Sequence, residues 1–184
     1  ENYTEAIFEA IKISIKRDNE LQNIGLHEPC FKGTNALSYL EDCIESGWVS
    51  SAGSWIARFE KNICEFTGAN YAIAVTNGSV GLRLALYAIG VKPFDEVIIP
   101  PLTFVATANA VSHLGAIPHF VDINKDNLGM CHKSLQRRLE SVAEKKSGFV
   151  INVKTGRKIT AIMPVHIFGI PANIVEIKNY QFIL

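Results

Sequence analysis

Apolar residues at helical spacing predict three helices in the first part of the chain. Side chains that recur every three or four positions lie on one face of a helix and can be buried together. The pattern predicts helices over residues 3–15, 35–46 and 54–66, and the glycines that follow the last two, Gly47 and Gly68, are typical C-terminal stops. The face of the third helix that is expected to be buried consists of Ile56, Phe59, Ile63 and Phe66.

Short apolar, β-prone runs alternate with helical patterns from residue 71 onward. The runs predict strands at residues 71–75, 95–99, 118–123 and 161–166, with a further strand starting at Gln181. Helices are predicted over residues 80–89, 103–114 and 172–180, and from Asn127 or Met130 to Glu144. Residues 149–160 predict a hairpin that turns at Thr155 and Gly156. This alternation indicates an α/β domain with a mixed, mostly parallel sheet.

The polar turn at residues 76–79 lies between the first predicted strand and the helix that follows it. The first turn of a helix has unpaired backbone N–H groups and a partial positive charge, which suit a phosphate. Gly78 allows close approach to the backbone, and the hydroxyl of Ser79 adds one donor. The alternative is an ordinary strand-to-helix turn, since the sequence contains neither G-x-G-x-x-G nor G-x-x-x-x-G-K-[ST].

Three predicted turns follow strands, at residues 76–79, 100–104 and 166–169. Ligands of parallel sheets bind beyond the carboxyl ends of the strands, so these turns are expected to converge. Asp95 and Glu96, which lead into an apolar run, are expected to form a solvated turn. His119 carries no functional argument, and Asp122 is expected to be structural.

Composition and charge narrow the range of partners. The 184 residues are 48% hydrophobic and 20% charged, with a formal net charge of zero and no strongly basic run, so no nucleic-acid partner is expected. No apolar run reaches the ~18 residues of a membrane span, so no membrane partner is expected either. The four cysteines form no C-x-x-C pair and indicate free, mostly buried thiols in a reducing, cytoplasmic location. The five histidines have no metal-ligand spacing, so no metal site is predicted.

Six segments make the chain similar to the DegT/DnrJ/StrS aminotransferases. These are pyridoxal-phosphate (PLP) enzymes that aminate keto-sugars attached to nucleotides. In order and spacing, the segments cover nearly all of residues 26–180. The opening at residues 26–29 and an insertion at residues 148–158 are similar to the branch that acts in legionaminic-acid-type synthesis. The segments are residues 46–51, 75–82, 95–100, 102–109, 115–123 and 164–169.

The resemblance implies a type I PLP-dependent aminotransferase fold, working as a homodimer with shared active sites. It implies a substrate of the UDP-4-keto-6-deoxy-sugar type, in surface-polysaccharide or nonulosonic-acid biosynthesis, with glutamate as the amino donor. Residues 1–70 would form a helical segment with a substrate-side loop, and residues 71–184 the first part of the large PLP-binding domain.

The resemblance also implies roles for individual residues. Asn77, Gly78 and Ser79 would hold the cofactor phosphate, where the family usually has Thr in place of Ser79. Phe104 would lie against the pyridine ring, with core packing as its alternative, and Thr107 would lie near that ring. Trp48 and Ser50 would lie on the substrate side. His166 would either line the pocket or be a hydrogen-bonded structural residue.

The family's catalytic residues are expected beyond Leu184. These are the Asp that pairs with the pyridine nitrogen and the Lys that forms the Schiff base. The chain starts at Glu1 and stops in an apolar run, so it is expected to be a piece of a longer protein, inactive by itself. Two alternatives stay open: a dehydratase of the same fold with a His in place of that Lys, and a non-catalytic regulatory or interaction module.

Overall fold

The computed structural model describes residues 3–15 and 29–180. The chain divides into two compact units, one ending at Arg58 and the other beginning at Phe59. Two predictions fall outside the described residues. They are the similarity at residues 26–29, of which only Pro29 is described, and the strand expected from Gln181. The functional boundary expected between residues 70 and 71 stays a prediction.

The three helices expected near the start of the chain are present. They are α1 (Tyr3–Ile15), α2 (Ala36–Glu45) and α3 (Ser54–Thr67), the last shared by both units. The prediction that α3 buries one apolar face is wrong for the structure described, because no residue of α3 is buried. Phe66 is 90% exposed and Phe59 is 56% exposed, since no other described segment covers them.

A three-stranded parallel sheet organises the second unit. Its strands are β1 (Glu96–Ile99), β2 (Ile117–Phe120) and β5 (Ile159–Ile162), in the order β2-β1-β5. All four residues of the central strand β1 are buried, as is typical of a parallel sheet covered on both faces. The predicted mostly parallel sheet is therefore confirmed for these strands.

Side chains of β1 alternate between two hydrophobic cores. Val97 and Ile99 pack with residues of helices α4 (Gly78–Ala88) and α5 (Ala106–Ser112). Ile98 lies on the opposite face, with residues of α6 (His132–Val142) and α7 (Ile174–Lys178). A short 3₁₀ turn, Ile167–Gly169, precedes α7. The predicted helices are thus present, although α5 starts three residues later than expected.

The strand predicted at residues 71–75 is wrong. This segment forms no ladder with any described strand, and Tyr71 and Ile73 are 88% and 83% exposed. The backbone N–H of Ala74 instead donates to the Glu60 carboxylate at 2.8 Å. Apolar alternation by itself does not make a strand, because a strand needs a neighbour to accept its backbone hydrogen bonds.

A hairpin follows α6 where the helix was expected to continue to Glu144. Its strands β3 (Ala143–Lys146) and β4 (Phe149–Asn152) pair antiparallel through Ser147 and Gly148, whose φ angles of 49° and 82° suit a tight hairpin turn. The predicted turn at Thr155 and Gly156 is present. Its return strand is reduced to a single bridge between Ile151 and Lys158.

Gly129 is a position where the packing tolerates no side chain. A Cβ added there would lie 2.8 Å from Cβ of Ala172 and 3.2 Å from its Cα. We expect Gly129→Ala to lower the free energy of unfolding by about 1–3 kcal/mol, measured by urea denaturation, because the loops must move apart. Adding Ala172→Gly should recover part of this loss. Strictly additive effects of the two changes would contradict the proposed clash.

Candidate active site

The start of α4 presents two unpaired backbone donors. Asn77 has extended backbone angles, and its side-chain oxygen accepts the N–H of Val80 at 3.0 Å. The N–H of Gly81 donates to the carbonyl of Asn77 at 3.1 Å. Among the described residues, the N–H groups of Gly78 and Ser79 have no acceptor. They lie at the positive end of the helix dipole.

The space around Gly78 fits a phosphate group. A Cβ added to Gly78 would meet no atom within 4 Å, so the backbone is open to an approaching ligand. Two free N–H groups and the nearby hydroxyl of Ser79 supply donors of the kind that bind phosphates at helix N-termini. The residues predicted to hold a cofactor phosphate therefore form a suitable cradle. That they hold it stays a prediction.

The N-termini of α4 and α5 lie at the same edge of the sheet. At the opposite edge, the chain leaving α4 meets the chain leaving α5, because the N–H of Phe94 donates to the carbonyl of Gly115 at 2.8 Å. Both helices pack against the same face of β1. Since the chain leaves both helices at the amino edge of the sheet, both helices start near the carboxyl end of β1. This is the edge at which parallel sheets bind ligands.

Phe104 and Thr107 have contrasting environments at the start of α5. Phe104 is 73% exposed, so the alternative of a core-packed phenylalanine is excluded in the structure described. Thr107 is buried, and its hydroxyl oxygen lies 2.7 Å from that of Thr103. Phe104 is thus free to contact a ring, whereas the hydroxyl of Thr107 already has a partner.

His166 follows β5 at the same carboxyl edge. Its Nδ1 accepts the backbone N–H of Ala172 at 2.9 Å, so the neutral ring carries its proton on Nε2. This hydrogen bond matches the structural role that was one of the two expectations for His166. The imidazole remains exposed, and its role in lining a pocket stays a prediction.

Trp48 and Ser50 belong to the first unit. Trp48 is 56% exposed and borders a hollow of about 270 Å³, together with Leu40, Trp55 and Ile56. Trp55 donates its indole N–H to Asp42, and its ring lies 4.3 Å from that of Tyr39. These contacts join α2 to α3, the two helices on either side of the loop that the resemblance places on the substrate side.

A buried polar network at the start of β1 was missed in the sequence. The prediction that Asp95 and Glu96 form a solvated turn is wrong, because they are 8% and 3% exposed. Glu96 accepts from Nδ1 of His119 at 2.7 Å, Nδ2 of Asn152 at 2.8 Å and the hydroxyl of Thr155 at 2.6 Å. The network links β1 to β2 and to the turn after β4. Its partners are up to 59 positions away in sequence, so no local pattern reveals them.

The network keeps Glu96 ionised. Burial raises the pKa of Glu96, but hydrogen bonds from Thr155, Asn152 and His119 outweigh it and leave the pKa below its ordinary value. Arg138 donates through Nε to Nε2 of His119 at 2.7 Å. Since a guanidinium only donates, His119 is neutral in this geometry and its proton is on Nδ1.

The thiols are less buried than expected. Cys30 is exposed and Cys43, Cys64 and Cys131 are half-buried, which corrects the prediction of mostly buried thiols. Burial raises the pKa of Cys131, but hydrogen bonds from Ser134 and Lys133 and the charge of Arg137 lower it by more.

Neither a membrane span nor a metal cluster is found in the described parts of the chain. No helix within residues 3–15 and 29–180 is long and apolar enough to cross a bilayer. In the same ranges, no three His, Cys, Asp or Glu side chains are grouped as metal ligands would be. The expectation that the protein needs no metal stays a prediction.

A parallel sheet with an open helix N-terminus at its carboxyl edge defines an α/β protein whose geometry suits a phosphorylated cofactor. Comparison with known families gives the narrower assignment. Residues 32–181 match the DegT/DnrJ/EryC1/StrS aminotransferase family, and the chain belongs to it. Pyridoxal phosphate is the cofactor of this family. The resemblance inferred from the six sequence segments is therefore confirmed.

Curated relatives include enzymes named GDP-perosamine synthase. The chain is 41% identical to the one from Vibrio cholerae, over 85% of this chain and 38% of that protein. It is 36% identical to the one from Caulobacter vibrioides, over 82% of this chain and 36% of that protein. The chain thus spans little more than a third of the length of these relatives.

Solved structures confirm the type I aminotransferase fold of this part. A DegT DnrJ EryC1 StrS aminotransferase from Brucella abortus superimposes with a TM-score of 0.69 at 30% identity, covering 79% of this chain and 36% of that one. The PLP-form of the putative sugar aminotransferase Spr1654 from Streptococcus pneumoniae agrees in fold, with a TM-score of 0.69 at 24% identity, covering 86% of this chain and 36% of that one.

Proposed function

We propose that the whole protein carrying this chain is an aminotransferase that places an amino group on a keto-sugar linked to a nucleoside diphosphate. The 41% identity to a GDP-perosamine synthase over 85% of the chain is the observation that carries this proposal. The open turn at Asn77, Gly78 and Ser79 supports it, since it lies inside the matched range and fits the cofactor's phosphate.

The residues of this chain would bind and orient the cofactor. The N–H groups of Gly78 and Ser79 and the Ser79 hydroxyl would hold its phosphate, and the exposed ring of Phe104 would lie on the pyridine. When bound, PLP supplies the electron sink for transfer of the amino group. The pyridine-pairing Asp and the Schiff-base Lys would follow Leu184, so residues 1–184 by themselves would not transaminate.

The names of the relatives favour a GDP-linked substrate over the UDP-linked one implied by the sequence resemblance. We propose glutamate as the amino donor, a homodimer as the working assembly, the cytoplasm as its location and surface-polysaccharide biosynthesis as the setting. Nonulosonic-acid biosynthesis is the setting favoured if the UDP-linked sugar is the better substrate.

Substrate comparison tests this proposal. The whole protein, loaded with PLP, is incubated with glutamate and either a GDP-linked or a UDP-linked 4-keto-6-deoxy-sugar, and the amino-sugar product is measured by mass spectrometry. We expect product with the GDP-linked sugar and none from residues 1–184 alone. Failure of both sugars to be aminated would contradict the proposed activity. A dehydrated, nitrogen-free product would indicate the dehydratase alternative instead.

A further inference from the structure

A hollow of about 400 Å³ lies between the carboxyl end of β2 and one face of α6. Its volume falls in the range of small-molecule sites. On the helix side, Ser134, Arg137, Arg138 and Ser141 recur at the spacing of one helix face, so a polar stripe faces the hollow. The strand side contributes Phe120, Val121 and Asp122.

Arg138 is held in position by buried groups. Its Nε donates to Nε2 of His119, and Nδ1 of His119 in turn donates to Glu96 at 2.7 Å. His119 is 7% exposed and Glu96 is 3% exposed. Burial of the Glu96 carboxylate is costly and requires hydrogen bonds such as the one from His119. Through His119 this buried group holds the Nε side of Arg138, so the exposed guanidinium has a fixed plane. Its terminal N–H groups have no acceptor among the described residues.

Arg137 adds a second guanidinium to the same hollow. One terminal N–H donates to the hydroxyl oxygen of Ser134 at 3.2 Å, which leaves other N–H groups unpaired in the structure described. The hydroxyl of Ser141 donates to the carbonyl of Arg138, so it can only accept from a ligand. Asp122 is the single carboxylate in the lining, and its Oδ1 accepts the N–H of Ile123. Two cations against one anion leave the hollow positive.

Phe120 provides an aromatic surface beside these cations. Its side chain is 55% exposed although it ends a strand of the sheet. A guanidinium group can bind a phosphate through two parallel N–H···O hydrogen bonds, and aromatic rings stack on nucleobases. A carboxylate such as Asp122 accepts N–H groups of a base or hydroxyl groups of a ribose.

We propose that this hollow binds a nucleoside diphosphate, with its phosphates on Arg137 and Arg138 and its base against Phe120. The hollow shares no residue with the turn at Asn77, Gly78 and Ser79, so the proposed nucleotide site is separate from the cofactor cradle. The inference rests on the proposed function, in which the substrate carries a nucleoside diphosphate; free nucleoside diphosphate would bind here, away from the cofactor cradle.

Titration calorimetry of the whole, PLP-loaded protein with GDP tests this site, with pyrophosphate as the probe that lacks a base. Arg137→Gln should weaken one GDP-binding event about tenfold, as loss of a charge-assisted hydrogen bond predicts. Lys133→Gln is the matched control, since it removes a charge from the same helix outside the hollow, and it should change affinity less than about twofold. Phe120→Ala should weaken binding of GDP and leave that of pyrophosphate unchanged.

Three outcomes would overturn the proposal. Equal GDP affinity of the Arg137→Gln variant and the unaltered protein would show that nucleotide binds elsewhere. Equal losses in the Arg137→Gln and Lys133→Gln variants would show a general charge effect. An unchanged GDP affinity in Phe120→Ala would exclude the base contact. Thermal melting of each variant checks that the fold is intact, and Arg138→Lys, which keeps the charge, should weaken GDP binding because it loses the planar, two-pronged donor.

Discussion

Replacing Glu96 with alanine should lower the free energy of unfolding of this protein by about 2–6 kcal/mol, since two buried hydrogen-bond donors lose their acceptor at a cost of about 1–3 kcal/mol each. The Glu96 carboxylate accepts hydrogen bonds from His119, Asn152 and Thr155, and it is 3% exposed. Without it, the buried donors on His119 and Asn152 lose their acceptor, and leaving a buried donor unpaired is costly.

Urea denaturation followed by circular dichroism measures this effect. Glu65→Ala is the matched control, because Glu65 is an exposed carboxylate whose ion pair among the described residues is with Lys61 at 3.6 Å. Its loss should cost less than about 0.5 kcal/mol, as for other surface ion pairs. A Glu96→Ala variant as stable as the Glu65→Ala variant would refute a structural role for the network.

The same carboxylate predicts a pH dependence of stability. The pKa of Glu96 in the folded protein lies below its usual value of 4.5, so folding favours the ionised form. This contribution is fully present above pH 4.5 and is lost as the pH falls through the lower pKa of the folded state. We therefore expect the free energy of unfolding to fall on acidification below pH 4.5, and to fall less steeply in Glu96→Ala.

Replacing Gly78 with valine should weaken retention of pyridoxal phosphate by about a hundredfold. Two charge-assisted hydrogen bonds from the N–H groups of Gly78 and Ser79 account for a loss of this size. A branched side chain would occupy the open space through which the phosphate approaches. Since a Cβ at Gly78 would meet no atom within 4 Å, the variant should fold normally, and its defect should be confined to cofactor binding.

Cofactor dissociation from the whole protein, followed by absorbance, measures this effect. Phe104→Ala is the comparison variant. Loss of ring stacking is worth about 1 kcal/mol beyond buried area, so cofactor retention should fall only about fivefold. Thermal melting of the cofactor-free variants should match that of the unaltered protein. If Gly78→Val holds pyridoxal phosphate as tightly as the unaltered protein, the turn at residues 76–79 is not the phosphate cradle.

Local patterns in the sequence determined the helices, the class of fold and the capped turn at residues 76–79. Asn77 caps α4 through its own side chain, and Gly78 and Ser79 start that helix, so three consecutive residues specify the whole feature. Helix periodicity and strand–helix alternation are likewise properties of short segments, and they gave α1 to α7 and the parallel sheet. The six segments that identified the family are also contiguous stretches of sequence.

Only the tertiary structure decided which polar groups are buried and which apolar groups are exposed. Glu96 lies beside His119, Asn152 and Thr155 because the sheet brings three distant segments together. Residues 71–75 have the pattern of a strand but stay unpaired, since no described strand lies next to them. Burial and backbone pairing depend on neighbours remote in sequence, whereas capping and helical periodicity depend on residues a few positions apart.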